Sequence, residues 1–260
     1  MERLKTELIQ RAKDNAPALT PEQFYTGSTG MLLVKAPIPY TTESRFDLHV
    51  AARHPAGMPR REGLTGHRLG ARDPAPWRVE GLPIEHPARM WRQAADEWSV
   101  DDLIIAGDNL VLPKRQLLTI DDLHAEIAAL RRGNAKLLKA VEEIRVGAES
   151  SEESTLRLVL VRAGLPRPEL NWDLRAANGR FIARLDICWP RHRVASEYDG
   201  RVHAEDDKQF ARDADRWDEV RHVNWDLVRI LSHHVRPDPQ VAVDKVARAL
   251  YSAGWRPGRD

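Results

Sequence analysis

The chain has 260 residues, with 40 basic and 39 acidic side chains and a formal net charge of +1. That balance excludes the strongly basic field of a histone-like packing protein. Neither half is a charged tail, since residues 151–260 carry 19 basic and 18 acidic groups and residues 1–150 carry 21 of each. The length suits one large domain or two small ones.

A single cysteine, Cys188, excludes an intramolecular disulfide and a cysteine zinc cluster. No apolar run approaches the ~18–20 residues that span a bilayer. The opening stretch MERLKTELIQRAKDN is charged throughout and lacks the apolar core of a secretory signal. A cytoplasmic protein with no membrane partner is therefore expected.

Residues 1–15 read as a short amphipathic helix. Residues 16–90 are rich in Pro, Gly, His and Arg, with short apolar runs at Met31–Val34 and Leu48–Ala51, which suits short strands joined by turns. From about residue 86 the pattern becomes helical: Met90, Trp91, Ala94, Ala95 and Trp98 recur at helical spacing. Thr119 is placed to cap a helix over 120–132, Gly133 to stop it, and a further helix runs to about 145. The small, polar stretch VGAESSEES at 146–154 marks a boundary between a unit of residues 1–147 and one of 148–260.

Ser150-x-x-Glu153 has capping-box spacing, and Leu156, Val159, Leu160 and Ala163 line one helical face, which Gly164-Leu165-Pro166 ends. A strand is expected over 169–175 and a hairpin-type turn at Asn178-Gly179. Two strands follow over Phe181–Trp189 and His192–Asp199, then a helix over 204–222, a strand over Trp225–Leu231 and a last helix marked by Val243, Val246, Ala247 and Leu250. The fold class is α/β (α+β), with a compact α/β unit at the C-terminus preceded by a mixed α+β unit.

Strand alternation puts Arg184, Asp186 and Cys188 on one face, and Ala195, Glu197 and Asp199 together on a face of the next strand. In a suitable register, Asp186, Glu197 and Asp199 converge. Three carboxylates at one place repel, and a hard divalent cation with oxygen ligands is the natural occupant. Acids at strand ends are also common as solvated turn residues, and Tyr198-Asp199-Gly200 is itself turn-like.

The run LRLVLVRAGLP (156–166), RFIARLDICWP (180–190), VASEYDGRVH (194–203), QFARDADRW (209–217) and NWDLVRIL (224–231) resembles domain-of-unknown-function family 559. That family is related to very-short-patch repair endonucleases of the PD-(D/E)XK superfamily. The resemblance implies an α-β-β-β-α-β restriction-endonuclease-like core and a Mg²⁺- or Mn²⁺-dependent endonuclease, a phosphodiester hydrolase acting on DNA. It implies Asp186 as the acid ending the metal-binding strand, Glu197 as the second acid, and Glu153 as the helix acid. Helical periodicity alone points slightly toward Glu152 instead. The metal ligands implied are Asp186, Glu197 and the carbonyl of Tyr198, with Asp199 in support and His203 as a proton-transfer group or phosphate contact.

Classical members carry Lys two residues after the second acid, where this chain has Asp199. Lys208 is one candidate for the absent cation, although a solvated helix lysine explains it better. Arg212 and Asp213 match recurrent family positions and equally suit a helix-surface salt bridge. His233-His234 reads as a pair of turn histidines, and Arg131, Arg132, Lys136 and Lys139 as a basic, solvated helix face. No Walker phosphate loop, G-x-G-x-x-G or G-x-S-x-G pattern is present.

Residues of about 20–145 resemble the C-terminal portion of AbiEi-type antitoxins, through ESRFDLHVAARHPAGMPRREGLTGHRL (43–69) and VEGLPIEHPARMWRQAADEWSVDDLIIAGDNLV (79–111), without a clear preceding winged helix. Two functions from different classes follow. One is a divalent-metal-dependent DNA endonuclease in repair, restriction or phage defence. The other is a catalytically inactive antitoxin-like or DNA-binding regulator that uses the nuclease fold as a platform. DNA, a second copy in a homodimer, and a toxin or defence-system protein are the expected partners.

Overall fold

The computed structural model describes residues 2–39, 47–53, 56–68, 76–130, 133–199 and 216–258, and is mixed α+β. The chain divides into two compact units, Met1–Arg145 and Val146–Asp260. Among the described residues, no helix is long and apolar enough to cross a membrane.

The first unit holds helices α1 (Glu2–Asn15), α2 (Gly27–Leu33), α3 (Pro87–Ala94), α4 (Val100–Leu110), α5 (Ile120–Ala128) and α6 (Ala135–Glu143). Its strands are β1 (Gln23–Tyr25), β2 (Leu48–Ala52), β3 (Leu64–Arg68), β4 (Pro76–Val79) and β5 (Leu82–Glu85), in the spatial order β3-β2-β1-β5-β4. Two helices start where the sequence supplies reciprocal caps. Ser99 pairs with Asp102 at α4, and Thr119 pairs with Asp122 at α5, each side chain bonding the other's backbone N–H.

Met31–Leu33 is helical, with Val34 as the C-cap, rather than the expected strand. Ser28 through Leu33 are all buried, so the run shows neither the alternation of a half-buried strand nor a polar helical face. Leu48–Ala52 is equally buried and is a strand, paired on both edges. Lys136 is also not a solvated cation: its Nζ donates to the carbonyls of Ala95 and Trp98, at 2.7 and 2.8 Å. It thereby ties α6 to the chain just beyond α3. Arg131 and Arg132 lie outside the described residues.

In the second unit, α7 (Ser151–Arg162) leads into β6 (Glu169–Arg175), β7 (Phe181–Trp189) and β8 (Val194–Asp199). Residues 216–222 form the described part of helix α8, followed by β9 (Asp226–Leu231), α9 (Ser232–Val235) and α10 (Gln240–Ser252). The sheet order is β6-β7-β8-β9, antiparallel except for the β8/β9 pair. His192, placed in a strand by its sequence, belongs instead to a 3-10 turn over Pro190–His192, and the left-handed Arg193 then starts the return.

Strand alternation gives this sheet two apolar surfaces. One core gathers Ile187, Trp189, Val194, Val228 and Ile230 with Leu156 and Leu160 of α7 and Val246 and Leu250 of α10. The other gathers Cys188 and Ala195 with Val220 of α8 and Trp225. Burying such side chains stabilises by roughly 1.5–3 kcal/mol each. The polar residues interrupting these runs, at Asp186 and Glu197, are therefore the anomaly to explain.

Candidate acidic site

The site forms where β7 and β8 part. Their register runs Trp189↔Val194, Cys188↔Ala195 and Ile187↔Ser196. Asp186 and Glu197 are the next residues on each strand, and being opposite in an antiparallel pair they share a face. The Tyr198 amide N–H donates to the Asp186 carboxyl.

Glu153 comes from the first turn of α7. Ser150 caps that helix, accepting from the Glu153 amide at 3.1 Å, while the Glu153 carboxylate accepts from the Glu149 amide at 2.8 Å and the Ser150 hydroxyl at 2.9 Å. The cap explains why an acid is here at all: backbone N–H groups at a helix start favour negative charge. Glu153 is buried, whereas Glu152 takes a hydrogen bond from the Ser151 hydroxyl and is partly exposed.

Burial, first, and the neighbouring Glu153 and Glu197 charges push the Asp186 carboxyl up to about 7. The Arg216 guanidinium and the Tyr198 amide oppose this. Burial also raises Glu153, against the hydrogen bonds that hold it. Asp186, Glu153 and Glu197 thus form one electrostatic cluster.

Asp199 is held differently. Arg229, from β9, bonds its carboxylate through Nε at 2.8 Å and also through Nη2. The Arg229 guanidinium lies 4.7 Å from the Trp217 ring centroid, and the Trp217 indole N–H donates to Glu197 at 3.1 Å. Arg216 Nη2 donates to the same Glu197 oxygen at 3.0 Å. Consecutive residues of α8 therefore clamp Glu197, and Trp217 links it to the Asp199–Arg229 pair. His203, Lys208, Arg212 and Asp213 lie outside the described residues.

Arg216, Trp217, Arg229 and Asn171 were not singled out by the sequence. Asn171 has φ +48° in the interior of β6, between the pairs Leu170↔Ile187 and Trp172↔Leu185, which sets it opposite Asp186. Its amide donates to the Gly147 carbonyl and reaches Glu153 at 3.4 Å. An Asn inside a strand was the available signal, because Asn is depleted there and tolerates left-handed backbone. His233 and His234 meet edge to face in α9, and His234 Nδ1 accepts from the Leu231 amide, so His234 caps this short helix.

Among the described residues, no three His, Cys, Asp or Glu side chains gather closely enough to hold a metal ion alone. The donor set nevertheless suits Mg²⁺ in kind. That ion is commonly held by one or two carboxylates, with waters and substrate phosphates completing the shell. Crowded, half-buried carboxyls such as Asp186 favour a cation beside them.

Over 103 residues the chain is 35% identical to an uncharacterised protein of two Mycobacterium tuberculosis strains, covering 40% of this chain and 38% of the relative. Over 176 residues it is 25% identical to the magnesium-chelatase subunit ChlI of Trieres chinensis, covering 64% of this chain and 45% of the relative. The alignments span less than half the length of each of these relatives. No family profile matches the chain, and no solved structure matches it.

Proposed function

We propose that the chain is a Mg²⁺-dependent DNA endonuclease with a restriction-endonuclease-like C-terminal core. The supporting observation is the cluster of Asp186, Glu153 and Glu197 at the parting of β7 and β8, with Asp186 pushed up to about 7 by burial and by its acidic neighbours. Asp186, Glu197 and the Tyr198 carbonyl would hold the ion. Bound there, the ion supplies an acidified water and stabilises charge on a phosphodiester. Glu153, fixed by the α7 cap, orders a water beside the cluster. Asp199 supports the site through Arg229 and Trp217. His203 has the proposed role of proton transfer or phosphate contact.

The engagement of Glu197 by Arg216 and Trp217 favours a second reading, a non-catalytic antitoxin-like or DNA-binding regulator. Incubation with supercoiled and linear duplex DNA, with Mg²⁺ or EDTA, separates the two. Mg²⁺-dependent cleavage that is lost in Asp186→Ala is the endonuclease result. DNA binding without cleavage in any metal is the regulator result.

A further inference from the structure

Arg216 occupies the acidic cluster in a way the proposed chemistry does not use. Its Nη2 donates to Glu197 at 3.0 Å, and its charge acts on Asp186 as well. Its side chain is 37% exposed against 10% for Glu197, so one edge faces the cluster while the group keeps a route to solvent. Among the described residues, its Nε–H is buried without an acceptor. A guanidinium presents five donors in a planar fork that matches carboxylate and phosphate oxygens alike. Among the described residues, only part of that fork is engaged.

The neighbouring clamp differs in kind. Trp217 donates one N–H to Glu197, and Arg229 covers the Trp217 ring, so Glu197 stays oriented if Arg216 leaves. A metal ion and the Arg216 guanidinium would both draw on the negative charge of Glu197 and Asp186. Their simultaneous presence sets like charges side by side, which costs free energy unless an anion joins them. A phosphate group is such an anion.

Building on the endonuclease reading, we propose that the Arg216 guanidinium is the resting occupant of the acidic cluster. A divalent cation displaces it from Glu197, and its freed donor edge then binds a phosphate oxygen of the substrate. Arg216 is thereby both a gate on metal binding and a substrate contact, on the helix that follows the strand where the usual Lys is missing.

The test is isothermal titration of Mn²⁺ into the full-length parent, Arg216→Ala, Arg216→Lys and Asp186→Ala. A second arm measures affinity for a duplex oligonucleotide in Ca²⁺. Arg216→Ala is expected to bind Mn²⁺ about 10-fold more tightly and the duplex about 10-fold more weakly, with Arg216→Lys near the parent in both. Opposite shifts of this kind cannot come from loss of fold. Equal or weaker Mn²⁺ binding in Arg216→Ala, with binding lost in Asp186→Ala, overturns the gate and leaves the metal site standing. Unchanged duplex affinity overturns the phosphate contact. If Mn²⁺ binds none of the four proteins, the gate and the metal-dependent reading fall together.

Discussion

Asp186 and Glu197 face each other just beyond Ile187↔Ser196, the last paired residues of β7 and β8, with Asp186 held from the neighbouring strand β8 and Glu197 from helix α8. The Tyr198 amide bonds Asp186, and Arg216 and Trp217 bond Glu197. One carboxyl is thus buried and the other half-buried beside it. Such an arrangement costs stability and persists where function uses it.

That cost has a sign and a pH window. Asp186 titrates at about 7 in the folded protein against 3.8 for the free side chain. Between those values the folded chain holds a proton that the unfolded chain has released, so stability falls as pH rises through the window. Above it the penalty is fully present. Asp186→Asn removes the penalty and is expected to raise Tm by roughly 4 °C or more at pH 8. The gain over the parent should shrink steadily toward pH 4. Thermal melts across that range check this, and a variant less stable than the parent at pH 8 contradicts it.

Asn171 carries two separable contributions. Its left-handed backbone suits Asn or Gly, and its amide bonds the Gly147 carbonyl and reaches Glu153. Asn171→Gly keeps the backbone and loses the hydrogen bonds, while Asn171→Ala loses both. Urea unfolding should place Ala below Gly by about 1 kcal/mol. Equal stabilities would mean that the backbone at 171 relaxes at no cost.

In the first unit, Gly107 makes room for a neighbour. A Cβ there would lie 2.2 Å from Ile144 Cδ1, so α4 meets the end of α6 at a place without space for a methyl group. Gly107→Ala should destabilise by about 1–3 kcal/mol despite alanine's better helix propensity. Ile144→Val, which removes Cδ1, should recover part of the loss. A double-mutant cycle with no coupling would refute the contact.

Cys188 is fully buried opposite Glu169, and burial, with the Glu169 charge adding to it, pushes its thiol up to about 12. A thiol so placed is inert. No reaction with a disulfide reagent is expected in the native protein, and one thiol per chain in denaturant. Rapid native labelling would place Cys188 outside the core.

Local signals were read well along much of the chain. Thr119 caps α5, Ser150 caps α7, and β6 and β7 begin and end where alternation and turn residues put them. The acids Asp186 and Glu197 were legible because strand alternation sets each on one face of its strand and the family resemblance matches both. Their partners were not. An Arg and a Trp on a helix, or an Arg on a strand, are ordinary residues until α8 and β9 bring them to the acids. The α2 helix failed for another reason: where every residue of a short run is buried, no periodicity is left to read.

The most direct test of the acidic site is cleavage of supercoiled DNA in Mg²⁺ by Asp186→Asn, the variant expected to be better folded than its parent at pH 8. Cleavage by the parent, reduced at least 100-fold in a variant that melts at higher temperature, is the result the account requires. Equal cleavage by the two proteins would contradict it.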